Sequence, residues 1–379
     1  MGAARNIEAS AVNTIDWLSS PGTNIVVPVY QRQYRWDIGG CEQLLADVRA
    51  VAEAEPGQTH FIGSVLSTAS TDAADTELVL IDGQQRITTL MLLVAALAHT
   101  VRDTDPPLAA QLRRVLVRAD DPSRTKLRPH RAWAELFEEV VLDRRSPDDA
   151  ERASRFDDNY AFFRSRIGVH DAAAVWRGLT RLEHVAIALG AEANAQQTFE
   201  SLNSTGEPLR DHELIHNYVL MGLSHAEQLV IEDEYWAAIE RSTGDHIASF
   251  WAHYLVMVGG REVATTASGR GVYDVFRTHF PRLDPVALRT LAEQWRSFAQ
   301  LYATLLDPEG EPDPEIRARL HYLNTFGRGM YPLVMALYAR HRAGEIESLE
   351  HTADGTLVRG RASEALAGEL AQYAVAPQS

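Results

Sequence analysis

Leu80–Leu90 reads LIDGQQRITTL, and its chemistry changes twice within that short span. The aliphatic run Leu78 to Asp82 (LVLID) reads as a strand. From about Ile87 to Val101 the chain reads as a strongly apolar helix. GQQR therefore occupies a strand-to-helix turn, which makes this region α/β. Gly83 supplies backbone freedom and lets a ligand approach closely. Thr88 and Thr89 fall in the first helical turn, where open N–H groups and the dipole suit an anion. Arg86 adds a forked cation matched to phosphate oxygens. Gln84 and Gln85 orient a water or a phosphate oxygen without adding charge. Asp82 is placed to hold magnesium or to activate water. Asp82, Gln84, Gln85 and Arg86 are thus the candidate catalytic residues, with Gly83, Thr88 and Thr89 binding phosphate. The turn lacks the Gly-Lys-Ser/Thr of a Walker loop. The competing reading is a polar turn that satisfies its own backbone.

Upstream, Asn13-Thr14 ahead of Ile15, Trp17 and Leu18 reads as a short capped helix ended by Pro21-Gly22. Asn24 to Tyr30 (NIVVPVY) reads as a strand with Pro28 near its edge or end. Gly39-Gly40 breaks the chain, Cys41 to Ala54 has helical spacing, and Phe61 to Ser67 (FIGSVLS) is strand-like. VPVYQRQYRWD, Val27 to Asp37, interleaves guanidinium and aromatic groups. Aromatic faces stack on bases and arginines meet phosphates, so Tyr30, Gln31, Tyr34, Arg35 and Trp36 are candidates for DNA contact. Alternation puts Tyr30, Arg32, Tyr34 and Trp36 on one face and Gln31, Gln33 and Arg35 on the other. The bland alternative makes Tyr34 and Trp36 core anchors.

Downstream the chain looks mostly helical: Leu108 to Val117, Arg131 to Leu142, Asp158 to Arg166, Ala226 to Arg241, Pro285 to Leu305 and Met330 to Arg342. His184 to Leu189 (HVAIAL) is a short strand candidate, Gly259 to Gly271 a loop, and Leu306 to Pro314 an acidic surface loop. The expected boundary lies at Thr104 to Pro107 (TDPP). That gives an α/β domain over 1–103, a mostly α-helical domain over 104–379, and an α+β class overall.

The formal charge of −16 over 379 residues repels phosphate on average and argues against non-specific wrapping of nucleic acid. Cys41 is the sole cysteine, which excludes an internal disulfide framework and a cysteine-rich zinc site. The longest apolar run, Leu90 to Ala98, is about half of the roughly 18 residues a membrane helix needs. The N-terminus lacks a signal-peptide apolar core, so a cytoplasmic location is expected.

VPVYQRQYRW, FIGSVLS and IDGQQRITTL, followed by TFESLNSTGEPLRDHELIHNYVL (Thr198 to Leu220), resemble in order the blocks of the N-terminal domain of GmrSD-type restriction enzymes. The resemblance implies a ParB/sulfiredoxin-like fold and a nucleoside-triphosphate-hydrolysing module, using GTP or another NTP with Mg2+, in bacterial anti-phage defence. Within the family the chain is similar to SspE-type proteins, which sense phosphorothioate-modified double-stranded DNA. Members commonly carry a C-terminal HNH nuclease domain, for which this chain shows no matching block. Carried onto these positions, Gln31 and Arg32 complete the phosphate site and Asn203 closes it from the second block, 198–220. Phosphate release would follow in-line attack of water. A non-hydrolysing sensor of modified DNA is the alternative.

His212-Glu213-Leu214-Ile215-His216 is an H-E-x-x-H string, which on a helix would offer two imidazoles for zinc with Glu213 as general base. The apolar stripe of Leu214, Ile215, Tyr218 and Val219 accounts for that helix without a metal, and Asp211 is its expected cap. RTKLRPHRAW, Arg124 to Trp133, adds Arg124, Lys126 and Arg128 as candidates for DNA contact, effective within a Debye length of about 8 Å. Trp236, Trp251 and Trp295 read as core.

Overall fold

The computed structural model describes residues 6–31, 33–69, 77–129, 131–145, 154–190, 198, 209–221, 223–260, 271–281 and 284–344. The chain divides into two compact units, Met1–Ser204 and Thr205–Ser379. The division thus falls at 204 rather than at the expected 103. Strands from beyond residue 103 belong to the same sheet as the strands before it, which is why the earlier boundary is not a domain edge.

In the first unit, six strands form one mixed sheet: β1 (Ile7–Asn13), β2 (Asn24–Val26), β3 (His60–Ala69), β4 (Glu77–Asp82), β5 (Leu127–Arg128) and β6 (Leu182–Leu189). Their order across the sheet is β1-β6-β3-β4-β2-β5. β6 runs antiparallel to β1 and parallel to β3, while β4 is antiparallel to β3 and parallel to β2. The HVAIAL strand is therefore an inner strand. β2 is shorter than NIVVPVY suggested. Pro28 has no N–H for the ladder, and its carbonyl instead accepts from the amide of Gln31 at 3.1 Å.

Among the described residues seven helices accompany the sheet: α1 (Thr14–Ser19), α2 (Ile38–Glu53), α3 (Gln84–Val101), α4 (Pro106–Leu116), α5 (Arg131–Val141), α6 (Arg155–Arg166) and α7 (Ala172–Leu179). Asn13 caps α1 by accepting from the amides of Ile15 and Asp16. Asp37 caps α2 through the amide of Gly40. Gly39-Gly40 thus lies inside a helix instead of breaking the chain; the Trp36 ring lies where a side chain on Gly40 would be.

α3 is buried on every side from Ile87 to Ala98, because α4, α5, α6 and α7 surround it. It shares one apolar cluster with Ile25, Val65 and Leu80 of the sheet. Each leucine buried there contributes roughly 1.5–3 kcal/mol, so α3 is the main apolar anchor of the unit.

The described part of the second unit is helical: α8 (Asp211–Leu220), α9 (His225–Ile231), α10 (Ala237–Thr243), α11 (Ile247–Gly259), α12 (Gly271–His279), α13 (Pro285–Leu306), α14 (Pro314–Asn324) and α15 (Tyr331–Arg342). A π-helical turn, Glu232–Trp236, joins α9 to α10. Trp236, Trp251 and Trp295 form the aromatic core expected of them, with Trp251 5.6 Å from each of the other two rings. Among the described residues no helix is long and apolar enough to cross a membrane.

Candidate functional site

β4 ends at Asp82 and α3 begins at Gln84. The turn is therefore Gly83 alone, and the helix starts three residues earlier than the apolar run suggested. Gln and Arg are strong helix formers, and the amide of Ile87 closes the first turn on the carbonyl of Gly83 at 3.1 Å. Gly83 has φ +95°, and a Cβ there would crowd Val65 and the carbonyl of Ser64 at 3.1–3.3 Å. Among the described residues no side chain caps Gly83. The first amides of an 18-residue helix thus lack intrahelical partners, and the dipole adds about half a positive charge.

The two neighbouring glutamines hold the preceding segment in place. Gln31 donates to the carbonyl of Ile81 at 2.6 Å. Gln85 donates to the carbonyl of Gln33 at 3.1 Å and accepts from the amide of Arg35 at 2.8 Å. Its side chain thus replaces one rung of a β-ladder. Gln84 is buried.

Arg86 is turned toward β3. Its guanidinium donates to the carbonyls of Ile62 (2.6 Å) and Ser64 (2.8 Å), and lies 3.6 Å from the Asp82 carboxylate. It passes over Gly63, where a Cβ would come within 1.7 Å of Nη1. Gly63 has φ +101° and sits where the β3–β6 register shifts between Phe61 and Ser64. The arginine is thus a strut across a bulge, with its side chain 28 % exposed. Beneath it His184 is fully buried; Nδ1 meets the hydroxyl of Thr14 at 3.0 Å, and Nε2 has no partner. Burial and then the Arg86 charge push this imidazole down to about 4.

Thr88 and Thr89 fall in the second turn, and both are buried. Thr89 donates to the carbonyl of Gln85 (2.8 Å) and lies 2.7 Å from the hydroxyl of Tyr34. Asn159 of α6 in turn donates to that hydroxyl (2.8 Å) and to the carbonyl of Trp36 (2.9 Å). Tyr34 stacks on Phe156, and burial raises its phenol. Tyr30 is buried as well, whereas Gln33 and Arg35 face solvent. The expected alternation holds from Gln33 to Trp36, with the aromatic face turned inward as anchors. Arg32 and Asn203 lie outside the described residues.

Asn159 and Gly63 were missed from the sequence. A glycine inside the strand-like FIGSVLS is the signal that could have located the bulge. Asn159 is 125 positions from Tyr34 and gives no local signal.

The basic segment is neutralised in place. Lys126 is 2 % exposed and donates to the carbonyls of Leu18 (2.6 Å) and Ser20 (2.7 Å) at the end of α1. Burial lowers its ammonium to about 8. Arg124 bonds Glu138 and Arg128 bonds Glu77. Lys126 is therefore a buried cation held to the end of α1.

In the second unit, Glu213 accepts from the amide of Arg210 at 2.9 Å, at the N-cap. His216 meets Glu232 at 2.6 Å and stacks on Trp236 at 4.4 Å. Asp211 accepts from the amide of Tyr273 rather than capping its own helix. Among the described residues no three His, Cys, Asp or Glu side chains cluster to hold a metal. Within the string, Glu213 thus caps the helix start, and His216 pairs with Glu232 and packs on Trp236.

No curated protein matches the chain. The family model of the GmrSD restriction endonuclease N-terminal domain matches residues 14–220, more than half of the sequence and the whole of the α3 site described above. The chain therefore belongs to the family of the GmrSD restriction endonuclease N-terminal domain.

Proposed function

We propose that this member of a restriction and defence family hydrolyses a nucleoside triphosphate, with GTP as the first candidate, at the N-terminus of α3. Hydrolysis would be coupled to sensing of modified double-stranded DNA, phosphorothioate DNA in the first instance. The observation that carries this reading is the uncapped start of α3, entered through a left-handed glycine directly after Asp82. The amides of Gln84, Gln85 and Arg86 offer donors to phosphate oxygens. Mg2+ suits this place, because it takes one or two carboxylates together with phosphate oxygens. The half-buried Asp82 lies 3.6 Å from the Arg86 guanidinium. When bound there, the ion offsets charge on the phosphates. Asp82 orients the attacking water, and Arg86 sets the position of Asp82 and donates through its remaining N–H groups. The solvent-facing Gln33 and Arg35 are the DNA-facing candidates. Gln85 ties both to the first turn of α3.

Phosphate release is the test, with each of the four NTPs, with and without phosphorothioate DNA, for the wild type and Asp82→Asn. Turnover lost in Asp82→Asn supports the site. If no NTP is turned over while modified DNA binds with a steep salt dependence, the chain is a sensor without hydrolysis.

A further inference from the structure

β1 forms one end of the six-stranded sheet and is bonded to β6. Its first five residues are exposed, Ile7 to 50 %. Among the described residues no strand lies along its outer side. Edge strands ordinarily carry something that blocks a second chain, such as a proline, a lysine or a bulge. IEASAVN holds no proline and no lysine, and its register with β6 runs residue for residue from Ile7 opposite Leu189 to Asn13 opposite Glu183.

The bonding on its inner side fixes which groups face out. The amide of Gly190 donates to the carbonyl of Asn6 at 2.9 Å, so these two residues form a bonded pair of the ladder. In an antiparallel ladder bonded and non-bonded pairs alternate. Glu8, Ser10 and Val12 therefore direct their main-chain groups to Ala188, Ala186 and His184 of β6. Ile7, Ala9 and Ala11 turn their N–H and C=O outward, and Asn13 turns its N–H outward.

These outward groups are self-complementary. With a second copy laid antiparallel about a two-fold axis at Ser10, Ala9 faces Ala11 of the other copy and Ile7 faces its Asn13. All of these are residues with outward groups, so donors meet acceptors along the whole strand. A slip of one residue would set outward groups against groups already engaged with β6. Charge permits the same register. Glu8 is the sole ionisable side chain of the strand. The two-fold places the two Glu8 carboxylates at opposite ends of the pairing, each beside Val12 of the other copy, so no like charges oppose each other. At the axis the two Ser10 residues form a non-bonded pair, flanked by alanines that let the strands approach.

We propose that β1 pairs with β1 of a second copy of this chain, joining the two sheets into one. The pairing does not depend on any NTP being hydrolysed. A seven-residue strand on each side buries less than the roughly 800 Å2 per partner of a standard interface. A formal charge of −16 on each chain also opposes approach. The dimer is therefore weak, with a dissociation constant on the order of 10–100 µM, and it tightens as salt screens the repulsion.

Sedimentation equilibrium of the full chain at up to about 300 µM, several times that constant, should show a monomer–dimer equilibrium that strengthens at high salt. Ala11→Pro removes one outward N–H and spares the ladder to β6. It should keep a cooperative urea transition and weaken the dimer at least tenfold. Under mild oxidation Ser10→Cys should cross-link to its twin, because facing non-bonded residues lie about 4.5 Å apart between Cα atoms. Ala9→Cys, held beyond the roughly 7 Å reach of a disulfide, should not. The native thiol, Cys41, is buried and does not compete. Should Ala11→Pro fail to fold, the two cysteine variants alone decide. A monomer at every concentration, a dimer unmoved by Ala11→Pro, or equal cross-linking of the two cysteine variants each overturns the proposal.

Discussion

Arg86 ties two carbonyls of β3 to the first turn of α3, so replacing it unfastens a strand before it touches any ligand. Arg86→Ala should cost about 2–4 kcal/mol in urea unfolding, since hydrogen bonds from a charged donor are lost and their acceptors stay half-buried. Asp82→Asn weakens a loose, partly solvated ion pair with Arg86, and its stability should stay within about 0.5 kcal/mol of wild type. Equal losses in the two variants would contradict this assignment. The residue types at this turn were readable from the sequence. The partners of Arg86 were not, because main-chain carbonyls 22 and 24 positions away carry no residue signature. Two buried bases make further predictions. Burial holds Lys126 at about 8 against 10.5 when free. Between those values the unfolded chain binds more protons, so stability should rise with pH across that window, and Lys126→Met should lack the rise. His184, at about 4 against 6.5, is neutral when folded. Stability should therefore fall as pH drops from 6.5 to 4. A His184 signal, assigned by its loss in His184→Gln, that titrates near 6.5 by NMR would refute the burial argument.

Among elements, those whose apolar spacing matched their burial were legible. α2, α3 and α13 lie within three residues of where the sequence put them. β1 escaped notice because IEASAVN is an edge strand, exposed along its first five residues, with no alternation to announce it. The bulge in β3 and the contact between α2 and α7 depend on glycines whose neighbours are distant in sequence. At Gly178 of α7, a Cβ would fall 2.0 Å from the carbonyl oxygen of Val48 in α2. Gly178→Ala must push the two helices apart. It should lower the urea midpoint by the equivalent of about 2–4 kcal/mol, at the severe end of point substitutions. An unchanged midpoint would show that the helices slide apart freely.

For the whole molecule, the sheet dictates which fragments stand alone. A chain ending at residue 103 lacks β5 and β6, leaving β1 without its sole neighbour and one edge of β3 open. Such a fragment should show no cooperative urea transition, whereas one ending at 204 should; a dispersed NMR spectrum from the shorter piece would refute this. The helical character beyond residue 103 was legible, but the true division was not, because an inner strand recruited from more than a hundred residues downstream leaves no trace in composition.

That late strand also sets a schedule for synthesis. When β3 and β4 have left the ribosome, about 110 residues remain before β6 is made. At about 5–20 residues per second this is a wait on the order of ten seconds. Throughout it, the growing polypeptide displays an open strand edge beside its most apolar helix, which is the form in which holdase chaperones would meet this protein.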